Sequence, residues 1–169
     1  MNITIRLAVP ADAPDMAEAY MRSWEVAYEN IVPADYIREK RKGNAAKTER
    51  MLNDENFSRY QHVILRDDVI VGIIMIGPAR DDDTDDSFYE LHGIYLHPDY
   101  FRQGIGSYAM DFAFEKARSL GKTAMTVWVF AENINSIKFY EKCGFVADGK
   151  TKILNCGKDL EAVRMRKDL

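Results

Sequence analysis

Residues 88–120 read FYELHGIYLHPDYFRQGIGSYAMDFAFEKARSL, and the succession of residue types within that stretch decides the fold. Aromatic and branched side chains alternate over 88–96, which predicts a pleated strand with Glu90, His92, Ile94 and Leu96 on one face. Pro98 lacks the amide that a ladder needs and ends it. From Ile105 onward, Tyr108, Ala109, Phe112, Ala113 and Leu120 fall at helical spacing, and Gly121 supplies a stop. The helix is expected to begin near Gly104.

The first turn of that helix is unusual for what it lacks. Helix starts expose unpaired amides and a positive dipole end, which chains commonly offset with Asp or Glu. Here the turn runs Arg102-Gln103-Gly104-Ile105-Gly106-Ser107, with no acid before Asp111. Two glycines let backbone approach a ligand closely, and Arg102 adds positive charge. The combination suits a phosphate-bearing ligand; the plainer alternative is a glycine turn entering a surface helix. Gly104 to Ala109 also satisfies the G-x-G-x-x-A dinucleotide pattern. Against that reading, several residues separate strand from glycines, and Thr123 to Phe130 carries no acid.

Outward from this stretch, composition sets bounds. A chain of 169 residues with 47% apolar content is expected to be a single domain over 1–169, large enough to bury about two-thirds of its unfolded surface. No run approaches the ~20 apolar residues of a membrane span, and the start MNITIRLAVPADAPDM lacks the basic and apolar regions of a signal peptide. Cys143 and Cys156 fit no metal spacing and require no disulfide, so a reducing cytoplasm is expected. A net charge of −4 and pI near 5.4 argue against nucleic acid as a partner.

In chain order, Ile3 to Ala8 alternates as a first strand. Asp12 is a plausible cap for a helix from Ala13 to about Tyr28, whose aromatic stripe includes Trp24 and Tyr28, either as core or as lining of a substrate cleft. A second helical region follows Pro33 to about Leu52, broken near Gly43-Asn44. His62 to Arg66 and Val69 to Ile76 read as a hairpin turning at Asp67-Asp68. The acidic run Asp81-Asp82-Asp83-Thr84-Asp85-Asp86 partly matches a calcium loop, but the required Gly is Asp86 and the closing Glu is His92. It reads as a solvated loop, or as one that attracts a cationic substrate. Thr123 to Phe130 is an apolar strand, Asn133 or Asn135 can cap a short helix ending at Gly144, and Phe145 to Leu154 with Glu161 to Met165 close the chain as a strand pair. The order is βααβββαβαββ.

The strand, Arg102-Gln-Gly-Ile-Gly-Ser107, the helix, the apolar strand, and then Asn133-Ile-Asn-Ser-Ile-Lys-Phe-Tyr140-Glu-Lys-Cys-Gly-Phe145 together resemble the GNAT superfamily of acetyl-CoA-dependent N-acetyltransferases. The motifs cover about residues 88 to 146, and Ser23 to Tyr28 through Pro33 to Tyr36 is similar to the first two helices of many bacterial members. The resemblance implies an α/β (α+β) fold with a mixed, mostly antiparallel central sheet flanked by helices.

It also implies roles. The backbone of Ile94, Tyr95 and Leu96 would hold the pantetheine arm of acetyl-CoA, and Arg102, Gln103, Gly104, Ile105, Gly106 and Ser107 would cradle the pyrophosphate. Asn133 would contact the coenzyme near its thiol, and Tyr140, seven residues on, would protonate the departing thiolate. An alkyl amine with pKa near ~10 needs a base before it can attack a thioester. Some members use a glutamate five residues before the Asn, a position held here by Trp128; others use one fourteen residues before the first Gly, which is Glu90. Glu90 is therefore the candidate base, with His92 as its understudy and Trp24, Tyr28 and His92 as substrate-side residues. The family usually has Gln or Arg where this chain has Phe101, for which Arg102 is the candidate compensation. The implied activity is direct acetyl transfer to a primary amine of a small molecule or peptide. Neither cysteine sits in a nucleophile setting, and a non-catalytic acyl-CoA-binding module is the rival. Family members are often dimers, although no residue here specifies a homodimer.

Overall fold

The computed structural model describes residues 2–169. Seven strands form one sheet in the order β1-β2-β3-β4-β5-β7-β6. Only β4 and β5 run parallel; every other neighbouring pair is antiparallel. The strands are β1 Ile3–Leu7, β2 Gln61–Arg66, β3 Val69–Pro78, β4 Phe88–Leu96, β5 Ala124–Phe130, β6 Val146–Asn155 and β7 Asp159–Asp168. The helices are α1 Ala13–Ala27, α2 Ala34–Arg41, α3 Asn44–Leu52, the single turn α4 Glu55–Ser58, α5 Ile105–Ser119 and α6 Ile134–Lys142. The break between α2 and α3 falls at Gly43, whose φ of 66° is left-handed, and α4 is the one helix that the residue pattern did not suggest. No helix among the described residues is long and apolar enough to cross a membrane.

Apolar residues divide the molecule into layers. On one face of the sheet, Ile105, Ala109, Met110, Ala113 and Phe114 of α5 pack with Ile74, Leu91, Met125 and Val127. On the other, Met21 and Trp24 of α1 pack with Phe130, Leu160 and Ala162, while Met16 packs with Val63 and Ile73. The β2–β3 hairpin turns through Asp67 and Asp68, both at positive φ (49° and 66°), as a two-residue turn matching strand twist requires. Asp12 stands at the start of α1 but does not cap it. Its carboxylate accepts from Val9 N at 2.8 Å and from both Arg6 terminal nitrogens, at 2.7 and 2.9 Å, so it fastens the end of β1 to the helix instead. These hydrogen bonds, chiefly those from Arg6, hold its pKa below the ordinary carboxylate range.

One irregularity in β4 governs the rest. Ile76 pairs with Leu91 but Met75 pairs with Gly93, so His92 is an extra residue without a partner on β3. A bulge of this kind reverses the alternation of side chains beyond it. Tyr89, Leu91, Ile94 and Leu96 consequently all pack on the α5 side, whereas Tyr95 packs with α1 residues. Glu90, His92, Ile94 and Leu96 therefore do not share one face as regular alternation predicts. Glu90 and His92 remain together, 3.8 Å apart, and Ile94 and Leu96 are turned away from them.

Candidate active site

The two parallel central strands separate. The β4–β5 ladder runs from Phe88↔Ala124 to Leu91↔Val127 and stops, while β4 continues along β3 to Leu96 and β5 continues along β7 to Phe130. Beyond Leu91 the edge of β4 facing β5 has no ladder partner, which leaves backbone groups free to bond an extended ligand. A cleft of about 1200 Å³ occupies the gap and is lined from both faces of the sheet, by Gly104, Gly106, Asn133 and Tyr140 on one side and Trp24 and Tyr28 on the other. That volume exceeds the ~300 to 1,000 Å³ of ordinary small-molecule pockets, so a long ligand fits.

At the α5 end the chain turns through two left-handed residues, Arg102 at φ 59° and Gly104 at φ 80°. A side chain at Gly104 would cost about 1 to 2 kcal/mol in that conformation. A Cβ on Gly106 would lie 3.3 Å from the Phe139 ring, so glycine there keeps helix and ring close. The first turn of α5 contains no acidic residue, and Arg102, Lys138 and Lys142 bring positive charge to the same cleft. The set fits a phosphorylated ligand. Two of the expected cradle residues contribute no side chain to it. Gln103 turns outward, accepting from Arg66 and donating to Asp99 O at 2.8 Å, and Ile105 is fully buried in the α5 core. Neither residue is part of the cleft lining.

Asn133 caps α6, accepting from Ser136 N at 3.2 Å, and also lines the cleft. Tyr140 is buried between Phe139 and Phe145. Burial first, with Tyr95 and Cys143 adding to it, pushes its pKa well above that of free tyrosine, so the hydroxyl stays protonated at neutral pH.

Residues 14–145 match the sequence profile of the acetyltransferase (GNAT) family. The chain belongs to that family. The uncharacterized N-acetyltransferase YuaI of Bacillus subtilis is 30% identical over 149 residues, covering 82% of this chain and 78% of YuaI. Among solved structures, PaiA N-acetyltransferase from Thermoplasma acidophilum in complex with coenzyme A aligns with a TM-score of 0.77 at 24% identity over the whole of both chains. The yncA protein from Salmonella typhimurium, with its cofactor acetyl-CoA, aligns at 0.69 and 22% over 100% of this chain and 95% of its own. These likenesses agree with the mixed, mostly antiparallel sheet, and the family's cosubstrate is acetyl-CoA.

In this GNAT member Glu90 is 2% exposed and is held by a residue that no motif announces. Arg80 gives its backbone N–H and Nε to Oε2, at 3.0 and 3.2 Å, and Nη2 to Oε1 at 2.6 Å. His92 Nε2 lies 3.1 Å from Pro78 O; a carbonyl only accepts, so Nε2 carries the proton and Nδ1 the lone pair. Burial, then the Arg80 charge, lowers the His92 pKa against the opposing pull of Glu90, so the ring is neutral at pH 7.

The acidic loop is solvated at Asp82, Asp85 and Asp86, as one reading of the sequence expected, and is also clamped from within the fold. Arg164 on β7, 5% exposed, donates to Asp83 at 2.7 and 2.8 Å, to Asp81 at 3.2 Å and to Asp148 at 2.7 Å. Asp81 also accepts from Trp128 Nε1 at 2.9 Å. Asp81 and Asp83 thus strap the loop to β5 and β7. Arg164→Leu removes one guanidinium from three carboxylates and is expected to cost about 3 kcal/mol of stability, measurable by urea denaturation at pH 7. The side-chain hydrogen bonds from Arg164 lower the Asp83 pKa. A depressed folded pKa means that stability is present above the ordinary carboxylate value near ~4 and is lost as pH falls through the folded value. The gap between wild type and variant should therefore close on acidification below pH ~4; an equal gap at every pH would sink the assignment.

Proposed function

We propose that this acetyltransferase binds acetyl-CoA in the cleft between β4 and β5 and moves its acetyl group directly to a primary amine of a small molecule or peptide. The observation that carries the reading is that the acid-free, glycine-turned start of α5 and the protonated hydroxyl of Tyr140 line one continuous cleft. Acetyl-CoA supplies an activated carbonyl that accepts the amine nitrogen as the carbon–sulfur bond breaks. The amides of 102–107 and the cations Arg102, Lys138 and Lys142 hold its phosphates, and the free edge at Ile94 to Leu96 aligns its arm. Tyr140 gives its proton to the leaving sulfur, while Glu90 takes the proton the amine releases, directly or through water.

Glu90 Oε1 is the accepting atom by count of lone pairs. Arg80 occupies two positions on Oε2 and one on Oε1, which leaves one open on Oε1. His92 Nδ1 is the alternative acceptor on the same strand face. The cytoplasm is the proposed setting, supported by the free thiols of Cys143 and Cys156.

Calorimetric titration with acetyl-CoA is expected to show one-to-one binding, with Phe101 tolerated because backbone amides carry most of the phosphate contact. No heat at millimolar coenzyme would overturn the reading.

A further inference from the structure

The α1 side of the cleft carries an excess of donors that the proposed transfer does not use. Two indoles line it, and each has an ammonium group over its ring: Lys152 Nζ is 3.9 Å from the centre of Trp128 and Lys40 Nζ is 4.5 Å from that of Trp24. Neither ammonium forms an ion pair among the described residues. The nearby carboxylates are engaged elsewhere, Asp81 by Trp128 and Arg164, Asp83 by Arg164 and Lys150, and Glu90 by Arg80. Trp24 Nε1, in a side chain buried to 6% exposure, makes no hydrogen bond. Lys152 itself is fixed by strand β6, where it pairs with Ala162, and its neighbour Leu154 packs with Trp24 and Phe130.

Such a wall has one ammonium in the cleft lining, Lys152, without a carboxylate partner, and one indole N–H, that of Trp24, without an acceptor among the described residues. An amine whose second group were another ammonium would meet the unpaired Lys152 there, because the carboxylates that line the cleft, Asp81 and Glu90, are already paired with Arg164 and Arg80. One whose second group is a carboxylate would satisfy Lys152, while an apolar side chain would rest on the aromatic lining.

We propose that Lys152 is a specificity residue that receives the carboxylate of the amine substrate, so that the acceptors of this enzyme are small amino carboxylates with apolar side groups. The proposal rests on the acetyl-transfer reading above and names the class of acceptor for it.

The test is thiol release from saturating acetyl-CoA by the full chain, with L-leucine, L-leucine methyl ester and 1,4-diaminobutane as acceptors, for wild type, Lys152→Met and Lys152→Glu. Comparing the two leucine compounds within each protein and then between proteins cancels their different amine basicities. Lys152→Met is expected to lower kcat/KM for leucine at least about tenfold more than for the ester, the size of a lost charged hydrogen bond, and Lys152→Glu more again. The KM for acetyl-CoA should not follow. Equal losses on acid and ester, or a wild-type preference for the diamine, would overturn the proposal while leaving acetyl transfer intact. Absence of coenzyme binding by calorimetry together with no turnover of any acceptor would overturn both.

Discussion

Tyr140→Phe is expected to lower kcat by about 10²- to 10⁴-fold, the usual worth of a positioned proton donor, while the Kd for acetyl-CoA stays nearly unchanged. The substitution removes one oxygen from a side chain that packs against Phe139 and Phe145, so the ring and its contacts survive. The hydroxyl is protonated at neutral pH, as an ordinary tyrosine is, and burial raises its pKa further. A thiolate leaving without that proton is the poorer leaving group, and the loss should fall on kcat rather than on coenzyme affinity. Single-turnover kinetics beside a binding titration separate the two. Full activity in the phenylalanine variant would remove Tyr140 from the mechanism.

Glu90→Gln should produce a loss of similar size, about 10²- to 10⁴-fold in kcat/KM for the amine. Glutamine keeps the shape and can still accept from Arg80, but it cannot take a proton through the one open position on Oε1. The variant's thermal midpoint distinguishes lost chemistry from lost structure, since Arg80 is 63% exposed and can be rehydrated. The contrast with His92 is informative. If His92→Asn abolishes turnover while Glu90→Gln retains it, the base is the imidazole. Its pKa is lowered, so the rate controlled by it would fall with acidification only below the ordinary histidine value of ~6.5. Loss in both variants would instead mean that amine proton transfer needs the pair.

How much of this was legible in the residues depends on how local each feature is. Gly104 and Gly106, the missing acids after them, Asn133 as a cap and the Asp67-Asp68 turn are all set by neighbours a few positions away, and each stands in the structure where the sequence placed it. The bulge at His92 is not local. It arises from how β4 pairs with Met75 and Ile76 of β3, and an alternating pattern read along β4 alone could only put Glu90 and Leu96 on one face. The Arg164 clamp is further from view, because it joins Asp81 and Asp83 to a residue more than eighty positions away, and nothing within an acidic run names such a partner. Arg80 gave a weaker signal still. It is a single arginine at the edge of that run, and only the fold brings it onto Glu90. Trp128, which stands where some members keep a glutamate, was recognisable as a closed route to a base, but its bond to Asp81 and its place beneath Lys152 were not.

The single unpaired residue in β4 also ties the arrangement of this centre to chain length as much as to chemistry. Regular alternation through 88–96 would send Tyr95 over to the α5 side, away from Tyr20 and the α1 aromatics it now meets, and would bring Ile94 round in its place. Exchanging one side chain for another along the strand alters a contact, whereas a gain or loss of one codon near His92 inverts everything downstream of it. Substitution at the cleft walls changes one contact at a time, while an insertion or deletion in this short stretch would reassign both walls at once.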